Sequence, residues 1–184
     1  MTRLQFAVFV RDRLLARSDL ATAARTAHAN ASAIPIVLEG ASGRVVDLDL
    51  RGSVAVGLAR IEAGASSPKA GRGRPRLGVV AREVTLLPRH WDWLSAQPGG
   101  ASAALRRLVD QARRDNAPED ERRQVQEAVY RVATTLAGDR PGYEDAIRAL
   151  FGGDMTAFDA RIAAWPPDIA AYLRDLTAPL AGPS

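Results

Sequence analysis

The residues best suited to chemistry are arginines, and in one part of the chain few acidic residues balance their charge. Residues 67–114 contain nine arginines and Lys69 against three acidic residues, a net charge of +7, whereas the preceding and following segments carry +2 and −5. A guanidinium group stays charged at physiological pH and donates several hydrogen bonds, so it suits phosphate binding. This uneven distribution of charge predicts a polyanionic partner, and nucleic acid is the leading hypothesis.

Three of these arginines alternate with small or rigid residues in a short segment, which reads Gly71-Arg72-Gly73-Arg74-Pro75-Arg76. An extended backbone would let the three guanidinium groups reach into a narrow minor groove of DNA, whose negative potential attracts them. The glycine at the centre would allow a close approach of the backbone. The segment resembles an AT-hook, although Gly71 stands where that motif usually has proline. The alternative is a solvated basic linker.

The residues that follow have the order of a strand, a short helix, a glycine turn and an arginine-rich helix. Residues 79–87 are rich in β-branched residues, Pro88 can open a helix, and Pro98-Gly99-Gly100 can end it. Ser102 can then cap a second helix with apolar residues at helical spacing. This order resembles a ribbon–helix–helix unit, in which the strands of two chains pair and enter the major groove of DNA.

The resemblance implies a homodimer joined through the central strand, because a single strand would leave half of the ribbon unpaired. It also implies that Arg82, Val84 and Leu86 face the groove, and that Ser102 and the neighbouring helix amides meet phosphate. The predicted DNA-binding residues are Arg72, Gly73, Arg74, Pro75, Arg76, Arg82, Ser102, Arg106 and Arg107.

Two departures from that family leave other interpretations open. The groove face would carry two apolar side chains, and the two helix starts are closer together than the family has them. An ordinary strand and helical hairpin, with Trp91, Trp93 and Leu94 in its core, is therefore an alternative. A second function hypothesis is a protein-interaction or assembly module without nucleic-acid binding, in which residues 84–87 and a tryptophan form the partner surface.

Signals for catalysis or for a metal site are weak. His28 and His90 are the only histidines, neither has a second ligand at metal-binding spacing, and the chain has no cysteine. Asp47 and Asp49 alternate with apolar residues, which indicates the wet face of a strand. The sequence therefore predicts a protein that is not an enzyme and has no catalytic residue, cofactor or metal.

The remaining residues predict an α+β fold. Residues 116–178 show the apolar spacing of four helices, separated by glycine and proline residues. The N-terminal part predicts ββαββα order, with strands at 3–10, 14–16, 34–38 and 46–50, and with helices at 20–31, capped by Ser18 or Asp19, and at 53–62.

These elements divide the chain into an N-terminal α/β unit at 1–62, a linker at 63–78, a strand–helix–helix module at 79–115 and a C-terminal helical unit at 116–178. The sequence leaves open whether the first and last of these pack into one core. No run of 18 apolar residues is present, and the apolar start of the chain is too short for a secretory signal. We therefore expect a soluble cytoplasmic protein without a membrane partner.

Several longer stretches together resemble one bacterial family. They read GRGRPRLGVVAREVTLLPRHWDWL, AGDRPGYEDAIRALFGGD and AAWPPDI. Over nearly its whole length, the chain is similar to the family known as domain of unknown function 2239. The resemblance implies a bacterial source and one shared architecture, and it implies no activity, ligand or site residue.

Overall fold

The computed structural model describes residues 5–48 and 82–180. The chain divides into two compact units, one made of residues 1–66 and 121–184 and the other of residues 67–120.

Within the described residues, an antiparallel sheet of three strands forms the N-terminal part of the first unit. β1 (Phe6–Val10) pairs with β2 (Arg13–Ser18) across a tight turn, and it pairs on its other side with β3 (Ile36–Glu39). β3 begins directly after Pro35, which has no N–H group to donate within a sheet. These strands confirm the first three that the sequence predicts.

The strand predicted at 46–50 is wrong for the part that the structure describes. A single bridge joins Val45 to Leu38, and no strand continues beyond it among the described residues. Val46 and Leu48 instead pack against an apolar cluster on the sheet. Alternating apolar residues indicate alternating burial, and here Val46 and Leu48 are partly buried. Two backbone hydrogen bonds flank the bridge, from the Glu39 N–H to the Arg44 carbonyl oxygen over 2.9 Å and from the Val46 N–H to the Val37 carbonyl oxygen over 2.8 Å.

α1 (Leu20–Ala29) covers one face of the sheet, and the alanines of its inner side pack on the side chains of β1 and β3. The Asp19 carboxylate caps this helix by accepting a hydrogen bond from the N–H of Thr22 over 2.9 Å. The same hydrogen bond lowers the pKa of Asp19. The second helix predicted for this part of the chain, at 53–62, lies outside the described residues.

The described part of the second unit is a helical hairpin, made of α2 (Pro88–Ser95) and α3 (Gly100–Asp115). Four helices follow, as predicted for residues 116–178, and the boundary between the units falls in the first turn of the first of them. They are α4 (Ala117–Ala137), α5 (Tyr143–Gly152), α6 (Met155–Ile162) and α7 (Pro167–Thr177).

The second face of the sheet packs on the C-terminal helices. The Phe9 ring of β1 is fully buried and meets the Tyr172 ring of α7 edge-on, with 5.4 Å between the ring centroids. Burial raises the pKa of the Tyr172 hydroxyl. The N-terminal sheet and the C-terminal helices thus share one hydrophobic core, which answers the question that the sequence leaves open. From the helices this core takes Val129, Val132, Ala133, Leu136, Leu150, Phe158, Ile162, Ile169 and Leu173.

Polar contacts also fix the helices to the sheet. The Asp168 carboxylate of α7 accepts a hydrogen bond from the N–H of Leu14 in β2 over 2.9 Å. The Arg140 guanidinium group pairs with Asp12, in the turn between β1 and β2, over 2.6 Å. Both contacts join residues that are far apart in the sequence, so the sheet depends on the helices for part of its support.

The predicted fold class, α+β, is confirmed by this small sheet followed by helices. None of the helices in the described ranges combines the length and the apolar character that crossing a membrane requires.

Candidate nucleic-acid interface

Residues 82–87, which lead into the helical hairpin, have no strand partner among residues 5–48 and 82–180. The strand predicted at 79–87 is therefore not formed in the portion that the structure describes. Val84 and Leu87 are 53% and 48% exposed. A strand needs a neighbour for its N–H and C=O groups, and no described residue of the chain supplies one here.

The hairpin has a very small core. α2 begins at Pro88, as predicted, because the fixed φ and the missing N–H of proline suit the first helical position. Leu94 and Ala104 are the buried residues of the two helices, whereas Trp91 and Trp93 are 39% and 53% exposed. The alternative that places all three large side chains in the hairpin core is right for Leu94 and wrong for the tryptophans.

The start of α3 differs from the prediction. Gly99 is the N-cap, with a left-handed φ of 84°, and the helix begins at Gly100, so Ser102 lies inside the first turn and is not the capping residue. The glycine takes this position because it adopts a positive φ without strain. Ser102 is nevertheless exposed. The N–H groups of a first helical turn have no partner inside the helix, so this end of α3 still favours an anion.

α3 extends well past the part that α2 covers, since it has 16 residues against 8. Its apolar stripe continues along the whole helix, but only Ala104 is buried. Leu108 and Val109, one turn further, are 48% and 55% exposed. The hairpin therefore presents apolar surface on the same helix that carries most of its arginines.

Four exposed arginines form two ridges along α3. Residues seven apart lie on the same side of a helix with about 3.6 residues per turn, so Arg106 aligns with Arg113 and Arg107 with Arg114. Arg106, Arg107 and Arg113 have no ion-pair partner among residues 82–120. Arg114 donates a hydrogen bond to Oε1 of Gln111 over 2.8 Å. The charge of Arg106, Arg107 and Arg113 is thus not neutralised by an ion pair with residues 82–120.

A groove runs between α2 and α3, bordered by one of the two ridges. It has a volume of about 430 Å³. Its walls combine an aromatic ring, an aliphatic side chain, two guanidinium groups, a carboxylate and an amide. The lining residues are Trp93, Ala104, Arg107, Leu108, Asp110, Gln111 and Arg114.

Of the predicted DNA-binding residues, the structure describes Arg82, Ser102, Arg106 and Arg107, and all four are exposed residues of the second unit. The basic segment at 71–76, and with it the whole linker predicted at 63–78, lies outside the described residues.

No group of three histidine, aspartate or glutamate side chains could hold a metal ion within residues 5–48 and 82–180. His28 lies on α1 and His90 on α2, and both are exposed. Asp47 is exposed as well, and Asp49 lies outside the described residues.

A second groove, of about 420 Å³, lies in the first unit between α4 and the turn that follows β3. The Arg131 guanidinium group in this groove already has partners within the chain: it donates to the Ser42 carbonyl oxygen and to the Glu127 carboxylate, both over 2.8 Å. This arginine therefore holds the turn on the helix. The groove is lined by Gly43, Arg44, Val45, Tyr130, Arg131, Thr134 and Thr135.

The family described as "uncharacterized protein conserved in bacteria (DUF2239)" matches residues 5–177, which is nearly the whole chain. The chain belongs to this family. No curated protein and no solved structure matches it significantly. Membership in the DUF2239 family confirms the resemblance seen in the sequence and assigns no activity.

In this member of the DUF2239 family, the predicted site includes Arg107 but omits Trp93, Gln111 and Arg114, which line the same groove. The spacing of seven residues between the two arginines was a usable signal, since it places them on one side of the helix. The position of the tryptophan had no such signal, because it depends on how α2 and α3 pack against each other.

Proposed function

We propose that the central segment, residues 69–114, binds DNA, and that the protein acts by this binding rather than by catalysis. The observation that carries the proposal is the arginine-rich helix α3, on which Arg106, Arg107 and Arg113 are exposed and lack an ion-pair partner among residues 82–120. Exposed arginines that are not neutralised within their own unit attract phosphate, and they release counterions when they bind it.

The exposed start of α3 adds a second phosphate contact. The Gly100 N–H already donates to the Gln97 carbonyl oxygen over 2.9 Å. The N–H groups that follow it in the first turn, and the Ser102 hydroxyl, can donate to a phosphate oxygen. Arg106 and Arg107 lie about one turn further along the helix, so they reach the neighbouring phosphates. These contacts would fix the position of the protein on DNA and would carry no sequence information of their own.

The basic segment precedes this helix in the sequence. Arg72, Arg74 and Arg76, with Gly73 and Pro75 between them, would lie in the minor groove, as an extended arm does beside a groove-reading module. This part of the proposal depends on the sequence pattern alone.

The proposal includes a homodimer. Residues 82–87 are extended in sequence pattern, have no partner in the described chain, and expose Val84 and Leu87. Pairing with the same segment of a second copy would complete a two-stranded ribbon and place Arg82 at the DNA. A dimeric transcriptional regulator of the bacterial cytoplasm would have these properties.

Fluorescence anisotropy of labelled AT-rich and GC-rich duplexes, over a series of salt concentrations, tests the proposal. We expect binding that weakens steeply with salt. Arg106→Ala/Arg107→Ala should lower the magnitude of the salt slope by about 2, because each phosphate contact contributes about 0.9. Arg72→Ala/Arg74→Ala/Arg76→Ala should weaken the AT-rich duplex more than the GC-rich one.

The control is Arg25→Ala/Arg148→Ala, which removes the same charge as the helix variant from exposed positions of the first unit. This control should leave the slope unchanged. If control and helix variants weaken binding equally, net charge alone is responsible and the interface is misplaced. Absence of binding even at low salt would refute the proposal.

A protein-interaction or assembly module is the second candidate. It is favoured by the exposed apolar side chains of the second unit, among which are Val84, Leu87, Leu108 and Val109. A surface of this kind is typical of a partner interface. Sedimentation of Val84→Lys/Leu87→Lys distinguishes the candidates: a protein that binds no DNA, and whose dimer dissociates in this variant, is an assembly module.

A further inference from the structure

The groove between α2 and α3 has the composition of a site for an unstacked nucleobase. We infer that it binds single-stranded nucleic acid, with one base held against Trp93. This inference rests on the proposed function, since it assumes that the arginines of α3 meet nucleic-acid phosphates. It adds a second mode of binding, in which bases and not only phosphates are contacted.

The apolar part of the groove fits the face of a base. Trp93 is 53% exposed and Leu108 is 48% exposed, and both line the groove. Every base has a π-face that stacks on an aromatic ring, and such stacking contributes about 1–3 kcal/mol per base. A volume of about 430 Å³ is within the range of small-ligand sites.

The charged part of the groove fits the backbone on either side of that base. Arg107 and Arg114 are both lining residues, and seven residues of helix separate them by about 10 Å along its axis. The Arg114 guanidinium group is held in place by its hydrogen bond to Gln111, whose Nε2 also donates to Asp115 over 2.7 Å. The two cations are therefore placed to meet successive parts of one strand.

Asp110 adds a preference among bases. It is a lining residue, and no described residue donates a hydrogen bond to its carboxylate. An ionised carboxylate only accepts hydrogen bonds, so it would pair with an exocyclic amino group, as carboxylates do with cytosine N4. Thymine has no amino group. We therefore expect cytosine and adenine to be preferred to thymine.

A duplex does not offer the same contact. Its bases are stacked on each other and paired at their edges, so a protein side chain reaches the face of a base only after the base leaves the stack. The groove should thus bind a single strand more tightly than a duplex. The two arginine ridges of α3 and the basic segment at 71–76 should bind the phosphates of either one.

Tryptophan fluorescence with 12-nucleotide dC, dA and dT strands and a mixed-sequence duplex tests the inference. Trp165 is 4% exposed in the core of the first unit, so quenching reports on Trp91 and Trp93. We expect quenching by dC and dA above dT. Trp93→Leu should abolish it and weaken the dC strand about tenfold. Trp91→Leu, two residues away on the same helix, should retain both the quenching and the affinity.

Asp110→Ala should remove the preference for dC and dA over dT, which separates base recognition from stacking. Circular dichroism of each variant checks that the helices are kept, as expected for exposed positions. Duplex affinity should be unchanged in Trp93→Leu.

Failure of this inference differs from failure of the proposed function. If the duplex binds but Trp93→Leu binds the dC strand like the unmodified protein, the groove is not a base site and the proposed function stands. If neither duplex nor single strand binds, both are refuted. If Trp93→Leu converts a dimer to a monomer in sedimentation, the groove belongs to a second copy of the chain, and the base site is refuted.

Discussion

Replacement of Gly43 by alanine should destabilise the first unit strongly, because this glycine lies where the turn after β3 meets α4. Its φ is +67°, and a Cβ atom built on it would collide with the Ala128 carbonyl oxygen of α4. That oxygen belongs to the backbone of a helix and has little freedom to move. Either the turn or the helix must shift to accept a methyl group.

The size of the effect follows from two separate costs. A residue with a Cβ in the left-handed region costs about 1–2 kcal/mol. Forcing an extra methyl group into a packed contact costs about 1–3 kcal/mol more. We therefore expect Gly43→Ala to lower the free energy of unfolding by about 2–5 kcal/mol, which is a large part of the stability of an ordinary domain.

Gly142→Ala is the matched control. Gly142 also has a positive φ, +79°, but nothing lies within 4 Å of a Cβ built there. It should therefore show the backbone cost alone, about 1–2 kcal/mol. Urea unfolding, followed by circular dichroism at constant m-value, measures both variants. Equal losses of unfolding free energy for the two glycine variants would show that Gly43 does not pack closely against α4, which would contradict the contact between this turn and Ala128.

Two further predictions concern the same core. Phe9→Ala should lower the free energy of unfolding by about 3–5 kcal/mol, because the buried ring loses its contacts with the sheet and with Tyr172. Phe151→Ala, at a 51% exposed position, should lower it by no more than about 1 kcal/mol. Similar losses for the two variants in urea unfolding would contradict the burial of Phe9. The pKa of Tyr172 is raised in the folded protein, so at pH values above 10.0 the unfolded chain loses a proton that the folded chain keeps. The free energy of unfolding should therefore fall as the pH rises past 10.0. In Tyr172→Phe this part of the pH dependence should be absent, and a pH profile unchanged from that of the unmodified protein would refute the prediction.

Local signals in the sequence were sufficient for most helices. Asp19 before α1 and Pro88 at the first position of α2 each mark a helix start that the structure confirms. These residues act within one turn of their own position, through a side-chain hydrogen bond or a fixed φ. Ser102 shows the limit of such signals, since Gly99 is the N-cap of α3 instead.

The strands predicted at 46–50 and 79–87 failed in their described parts for a different reason. A strand exists only when another segment pairs with it, and a run of apolar or β-branched residues does not specify that partner. Val46 and Leu48 are partly buried against the sheet, to which a single bridge joins this segment. In the site, the same limit applies to Trp93, whose place beside Arg107 depends on the packing of two helices.

The sequence by itself determined the uneven charge, the helix positions, the α+β class and the family. Each of these depends on residue types or on contacts within a few residues. Only the tertiary structure decided that residues 5–48 and 121–180 share one core, and that a tryptophan and two arginines border one groove. Such arrangements depend on side chains that meet across long separations in sequence, and the pattern of any single segment is compatible with many of them.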